Sequence, residues 1–351
     1  MQTYSEVPKL VTKVAYPFFT PPPFKDGGSN EFLRAAIHFA VKNKIFTLFY
    51  EGCQKSGIRL PEEADSRLNE YERRRKAQLE TIEFLLDECS RNGIDVLFMK
   101  TFKPFDYVPD DVDLLLRHKA DFKTVQKALR SKNFSLLKVG TPEIVMRKTF
   151  DGTFVDVDIH LSMAVGHLIL FDLEKIWPKL IYKTLKSGHN VPVLPEYFET
   201  VRESAYSLLK DFKISVPALY SAAHVFLNNQ LEDVWRLAEE ENFCLHVYLF
   251  LSTASYLIHD LFSFQEEINL PRPKDKLTES SSRIIRAELS KGYNVPFSYP
   301  MSIIGVAYLS RVWSETRRNK DFKTLLQFIR QPSSKGIDLL LDYFRSHPSI
   351  A

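Results

Sequence analysis

Hydrophobic and polar positions divide the chain into three regimes. Between Phe32 and Ile45 the apolar residues Phe32, Ala35, Ala36, Phe39, Ala40 and Ile45 recur at helical spacing, behind Asn30 as a candidate N-cap. A longer helix is predicted from after Pro61 to Asn92-Gly93: Leu79, Ile82, Leu86 and Cys89 share a face, and Gly93 supplies the stop. The period then shortens. Residues 94–99, 112–116, 134–139, 145–150 and 153–160 read as strands and 120–132 as a helix. Asp151-Gly152, between the last two strands, is the strongest hairpin signal in the chain, and 191–194 reads as an edge strand. From Pro195 onward the helical period returns. It predicts helices over 196–211, 216–229, 232–241, 244–259, 280–290, 303–318 and 336–346, with a break at Pro271 and Pro273.

This order predicts an α+β fold, a small mixed β-sheet with helices on one face, flanked by N-terminal helices and a helical C-terminal half. Four regions follow: an extended Pro-rich arm over 1–30, N-terminal helices over 31–93, an α/β core over 94–195 and a C-terminal helical domain over 196–351. The arm is read as extended because Pro21, Pro22 and Pro23 can neither continue a helix nor pair in a central strand. No period of about 20–50 residues repeats, which disfavours a solenoid.

Composition narrows the function classes. With 44% hydrophobic and 26% charged residues the chain is neither disordered nor collagen-like. Only 12 Gly against 27 Phe and 15 Tyr points away from a turn-dense β-sandwich and toward an aromatic-packed, helix-rich core. A net charge of +3 commits the chain to neither nucleic acid nor membrane, so any such binding must be local. Cys53, Cys89 and Cys244 are odd in number and widely spaced. They make neither a disulfide framework nor a zinc motif, and are expected to be small buried side chains in a reducing compartment. The N-terminus lacks the apolar run of a signal peptide, and 243–258, the least charged long stretch, is shorter than a membrane span. A cytoplasmic protein with no membrane partner is the expectation.

The sharpest chemical signal is Asp111-Val-Asp113-Leu-Leu-Leu. On a strand Asp111 and Asp113 share one face while Val112 and Leu114 take the other. The segment 155–160 repeats the alternation, with Asp156, Asp158 and His160 on its polar side. Four carboxylates and an imidazole gathered on one patch require a compensating cation, and Mg²⁺ favours carboxylate oxygen, water and substrate phosphates. The plainer alternative is that each is an alternating strand with one solvated face.

These segments carry a resemblance. Gly93-Ile-Asp-Val-Leu-Phe-Met-Lys100, then Asp111-Val-Asp113, then Val157-Asp-Ile-His160 resemble the uncharacterised nucleotidyltransferase family of the polymerase-β-type superfamily, over most of residues 70 to 240. The resemblance implies a nucleotidyltransferase-like core in which Asp111 and Asp113 match the acidic pair and Asp158 the third acid, together holding Mg²⁺ or Mn²⁺. Asp156 competes for the third role. It further implies an NTP substrate with its triphosphate near Lys100 and Thr101. A metal-aligned acceptor hydroxyl, on a small molecule, a protein or an RNA end, would displace pyrophosphate. The chain departs from the family at one place. Lys100-Thr101 stands where the family carries Gly-Ser or Lys-Gly, a turn whose backbone approaches the phosphates. That departure motivates the alternative of a nucleotidyltransferase fold that binds or scaffolds without turnover. Because the three acids are expected to face a cleft, their removal is expected to spare the fold.

Other features read as structural. Arg73-Arg-Arg-Lys76 sits beside Glu70, Glu72 and Glu80 as a solvated helix face, and Arg147 and Lys148 as solvation of an edge strand. His160 orients Asp158 or a substrate, or is an ordinary strand histidine. Phe212, Tyr220, Phe226, Trp235, Phe243, Tyr248 and Phe250 read as packing between helices. Residues 301–351 hold eight Lys/Arg against four Asp/Glu, too sparse for a dedicated nucleic-acid surface.

Overall fold

The computed structural model describes residues 6–18, 29–139, 143–165, 168–262, 268–271 and 275–319. The N-terminal part comprises α1 (Val7–Val14), α2 (Asn30–Lys42), α3 (Phe46–Lys55) and α4 (Glu62–Arg91). Then come β1 (Val96–Met99), β2 (Asp111–Leu116), α5 (Phe122–Ser131), β3 (Ser135–Val139), β4 (Glu143–Phe150), β5 (Thr153–His160), β6 (Ala164–Val165) and β7 (Leu168–Ile169). The core closes with α6 (Leu173–Ile176), β8 (Ile181–Thr184) and β9 (Asn190–Val193). The C-terminal half is α7 (Glu196–Leu209), β10 (Lys213–Ile214), α8 (Val216–Leu227), α9 (Leu231–Glu240), α10 (Cys244–Phe262), α11 (Lys276–Ser290), β11 (Phe297–Ser298) and α12 (Met301–Asn319). The expected helix over 336–346, the prolines at 21–23 and Pro273 lie outside the described residues.

The fold is α+β. Three of its helices were not foreseen, the four-residue α6 among them. Residues 7–14, assigned to an extended arm, form α1: Pro8 is tolerated in a first turn, and Val7, Val11 and Val14 make a two-turn apolar stripe. In α3 the residues Phe46, Phe49 and Cys53 fall on one buried face, although Phe-Thr-Leu-Phe-Tyr is composed like a strand. Gly52 lets these two helices meet, since a Cβ there would lie 2.0 Å from the Val14 carbonyl oxygen. The cap of α2 is Ser29, whose hydroxyl accepts from the Phe32 N–H at 3.2 Å, and not Asn30.

The seven-stranded sheet runs β3-β4-β5-β2-β1-β9-β8. The pairs β2–β5 and β1–β9 are parallel and the rest antiparallel. Residues 191–194, read as an edge, are interior, because Ile181–Thr184 adds β8 outside β9. Alternation sends Val112, Leu114, Leu116, Val155, Val157 and Ile159 to one face, where they pack with Ile82 and Leu85 of α4 and Val125 and Leu129 of α5. Each such side chain contributes roughly 1.5–3 kcal/mol on burial. On the opposite face Leu97, Met99 and Leu115 join a second core that includes Phe198 and Val201 of α7, Tyr220 of α8 and Val11 of α1. Helices therefore cover both faces, not one, and the polar side of β2 and β5 is roofed by the C-terminal half. Tyr220, Phe226, Phe243, Tyr248 and Phe250 are buried, as expected of interhelical packing. Cys53 and Cys89 are buried and Cys244 half-buried, all as thiols.

Candidate functional site

The parallel pairing of β2 with β5 sets Asp111 beside Asp156 and Asp113 beside Asp158. The two acidic segments therefore meet on one face of the sheet. The structure then divides the four carboxylates. Arg147 forks Asp156, its Nε and Nη2 donating at 2.6 and 2.7 Å, while its guanidinium lies 4.0 Å from the Phe154 ring centre. Arg147 was assigned to an edge strand, but β4 is interior, between β3 and β5, and its register partner is Asp156. Asp156, the competing third ligand, is thus neutralised. Asp113, Asp158 and His160 instead offer ligand atoms all within 4.8 Å of one another. The sequence had left His160 open; its signal was its place on the polar side of the same alternation.

Asp113 is 2% exposed, and its Oδ1 accepts from Lys100 Nζ at 2.5 Å and from His160 Nε2 at 2.7 Å. Burial alone would raise its pKa, but Lys100 and His160 overcome burial and hold it well below the usual carboxylate range. Asp113 lines the cavity described below, but it does so as a buried ion-pair partner of Lys100. Asp158 is pushed up to about 7 by burial, then by Asp111, Asp113 and Glu143. Asp111 is raised by burial and by Asp113. Lys100 satisfies one of the three acids and leaves the other two short of positive charge. A hard divalent cation suits such an oxygen-rich donor set.

The turn after β1 is held from α7. Lys100 adopts a left-handed backbone, φ 57°, a conformation uncommon for a residue with a side chain. Its N–H donates to Glu199 Oε1 at 3.2 Å, and Arg202 Nε grips Glu199 Oε2 at 2.8 Å. Glu199, Arg202, Glu203 and Lys103 form a buried charged layer beside the site that periodicity could not reveal, since α7 buries charged and apolar residues alike. Burial, Arg202 and Lys100 pull Lys103 below its ordinary range, against Glu199. Thr101 donates its hydroxyl to the Met99 carbonyl at 2.9 Å and is buried, so this hydroxyl is already engaged within the chain. The Arg73–Lys76 cluster is only partly solvated. Arg75 pairs with Asp106, Arg74 Nη1 lies 3.4 Å from Asp110, and Gln78 donates to the Pro109 carbonyl, so α4 pins the loop that enters β2.

Above the patch lies a cavity of about 360 Å³. Asp111, Asp113 and Lys100 line it, and its wall carries seven Lys/Arg against four Asp/Glu. Asp158 and His160 lie beneath, beside Asp113. No helix among the described residues is long and apolar enough to cross a membrane. No family model, no curated protein and no solved structure matches the chain.

Proposed function

We propose that the chain is a metal-dependent nucleotidyltransferase that moves a nucleotidyl group from an NTP to an acceptor hydroxyl and releases pyrophosphate. The observation that carries this reading is the β2–β5 register, which puts Asp113 beside Asp158 with Asp111 on the cavity wall, under a predominantly cationic space. Asp111, Asp113 and Asp158 would hold Mg²⁺ or Mn²⁺, with His160 alongside Asp113. When bound, the metal supplies neutralisation of phosphate charge and alignment for in-line displacement. The chain's own part is positioning and fixed charge. His160 orients the Asp113 carboxylate, Glu199 and Arg202 fix the turn that aims Lys100, and Lys100 faces the cavity, where its ammonium suits a phosphate oxygen. The test is transfer of label from an NTP, with Mg²⁺ or Mn²⁺, into a cell extract. Asp111→Asn and Asp158→Asn should abolish transfer while circular dichroism stays native, and full transfer by either variant contradicts the reading.

One observation favours a second reading, a nucleotide-binding scaffold without turnover. Lys100 Nζ already sits on Asp113, and Lys100-Thr101, with Lys100 left-handed, stands in the turn where the resembled family carries Gly-Ser or Lys-Gly. Calorimetry with NTP separates the two, since binding that ignores Mg²⁺ and the Asp substitutions supports the scaffold.

A further inference from the structure

Four of the cations around the cavity are committed. Lys44 meets Asp110 at 2.6 Å, Lys100 meets Asp113, Lys103 meets Glu203 and Arg202 meets Glu199. Lys42, Lys210 and Lys213 line the same space and have no carboxylate within 4.0 Å among the described residues. Lys42 ends α2, while Lys210 and Lys213 lie between α7 and α8, so segments remote in sequence bring three exposed ammonium groups to one hollow, Lys210 lying 5.2 Å from the Tyr206 ring centre and lowering the pKa of Glu143 from a distance. Asp211 lines the same space and, like the three lysines, is exposed, so one acid faces three cations there. Cations gathered in this way repel one another, and an anion bound among them relieves the repulsion.

A separate feature calls for a hydroxyl. Glu203 is 8% exposed and lines the cavity. Lys103 and Arg202 both address its Oε1, and its buried Oε2 has no hydrogen-bond partner. A buried carboxylate oxygen left unpaired is costly, and a ligand O–H donating to it would remove the cost.

From the anion site and the unpaired oxygen together, we infer that this wall of the cavity binds the acceptor, and that the acceptor is a small phosphorylated hydroxy compound. The anion site stands on the lysines alone, while its role as an acceptor site rests on the transferase reading above. Volume and charge favour a small molecule over a nucleic acid. The cavity lies near the lower end of the range for ligand sites, about 300–1,000 Å³, and a net charge of +3 provides no extended track for a polyanion.

The experiment is calorimetry on the full chain. Inorganic phosphate and glycerol 3-phosphate are titrated in EDTA, and a non-hydrolysable NTP is titrated with Mg²⁺. Phosphate should bind without metal, and Lys210→Ala/Lys213→Ala should weaken it by about tenfold or more while Asp111→Asn does not. Glycerol 3-phosphate should bind more tightly than phosphate, and Glu203→Gln should erase that advantage. NTP with Mg²⁺ should bind the double lysine variant as it binds the wild type. Absence of phosphate binding, or binding that survives the lysine substitutions, overturns the anion site. Loss of Mg²⁺–NTP binding in the lysine variant assigns these lysines to the nucleotide instead, and displacement of phosphate by a single-stranded oligonucleotide makes the acceptor a nucleic acid. Absence of any glycerol 3-phosphate advantage removes the hydroxyl contact. Failure of the transferase reading shows separately, as metal-independent NTP binding, and leaves the phosphate result unchanged.

Discussion

Asp113 Oδ1 receives both Lys100 and His160 while the side chain is almost wholly withdrawn from water, so it serves the fold as well as the site. Breaking a fully buried pair by deleting one partner costs about 3–5 kcal/mol, an upper bound here because the Lys100 side chain is 24% exposed. Asp113→Ala should lower the stability read from urea unfolding by up to that amount, whereas Asp111→Asn, which removes a charge that burial and Asp113 already disfavour, should not lower it. Asp158 differs in sign. Its pKa is raised from the ordinary 3.8 to about 7, so the native state binds this proton more tightly than the unfolded chain does. Its contribution to stability is present below about pH 4 and is lost as pH rises through 7. Asp158→Asn, permanently neutral, should therefore melt higher than wild type at pH 8 without metal, and the difference should close toward pH 4. A constant difference across that range would contradict the assignment. These acids were visible in the sequence because a two-residue alternation fixes which side chains share a face. Arg147 as the partner of Asp156 was not, because that pairing depends on β4 being interior, and the engagement of Thr101 with Met99 depends on the geometry of one turn.

The elements that position the site were legible where they were long or strongly patterned. Glu62–Arg91, the Asp151-Gly152 hairpin and the C-terminal helices among the described residues fall close to their predicted bounds. Short elements carried too little signal. α1 has eight residues ahead of a proline run, β8 has four, and α3 is composed like a strand but folds as a helix because its apolar spacing meets α1. The contact between α1 and α3 depends on a missing side chain. With the Gly52 Cβ position only 2.0 Å from a backbone oxygen, Gly52→Ala must push α1 away. The expected cost is about 1–3 kcal/mol, as in overpacked cores, read as a lower urea midpoint and faster proteolysis ahead of Ser29. An unchanged midpoint would show that α1 is not seated on α3.

At the scale of the molecule, the cavity is assembled from the end of α2, the segment between β1 and β2 and the segment from α7 to α8. No local pattern announces such a convergence, which is why a nearly neutral chain conceals a cationic hollow. Its field should be sensitive to salt. Raising ionic strength from about 0.05 to 0.5 M should weaken inorganic phosphate binding several-fold without changing the melting temperature by more than a few degrees. Binding that ignores salt would mean that the lysines do not face the ligand. The paired carboxylates of β2 and β5 give the most direct measurement. NTP affinity is determined by calorimetry with Mg²⁺ and with EDTA, for wild type and for Asp111→Asn/Asp158→Asn. A metal site on this face predicts wild-type binding at least about tenfold tighter with Mg²⁺, and no such difference in the double variant. Equal affinity with and without Mg²⁺ in the wild type would contradict it.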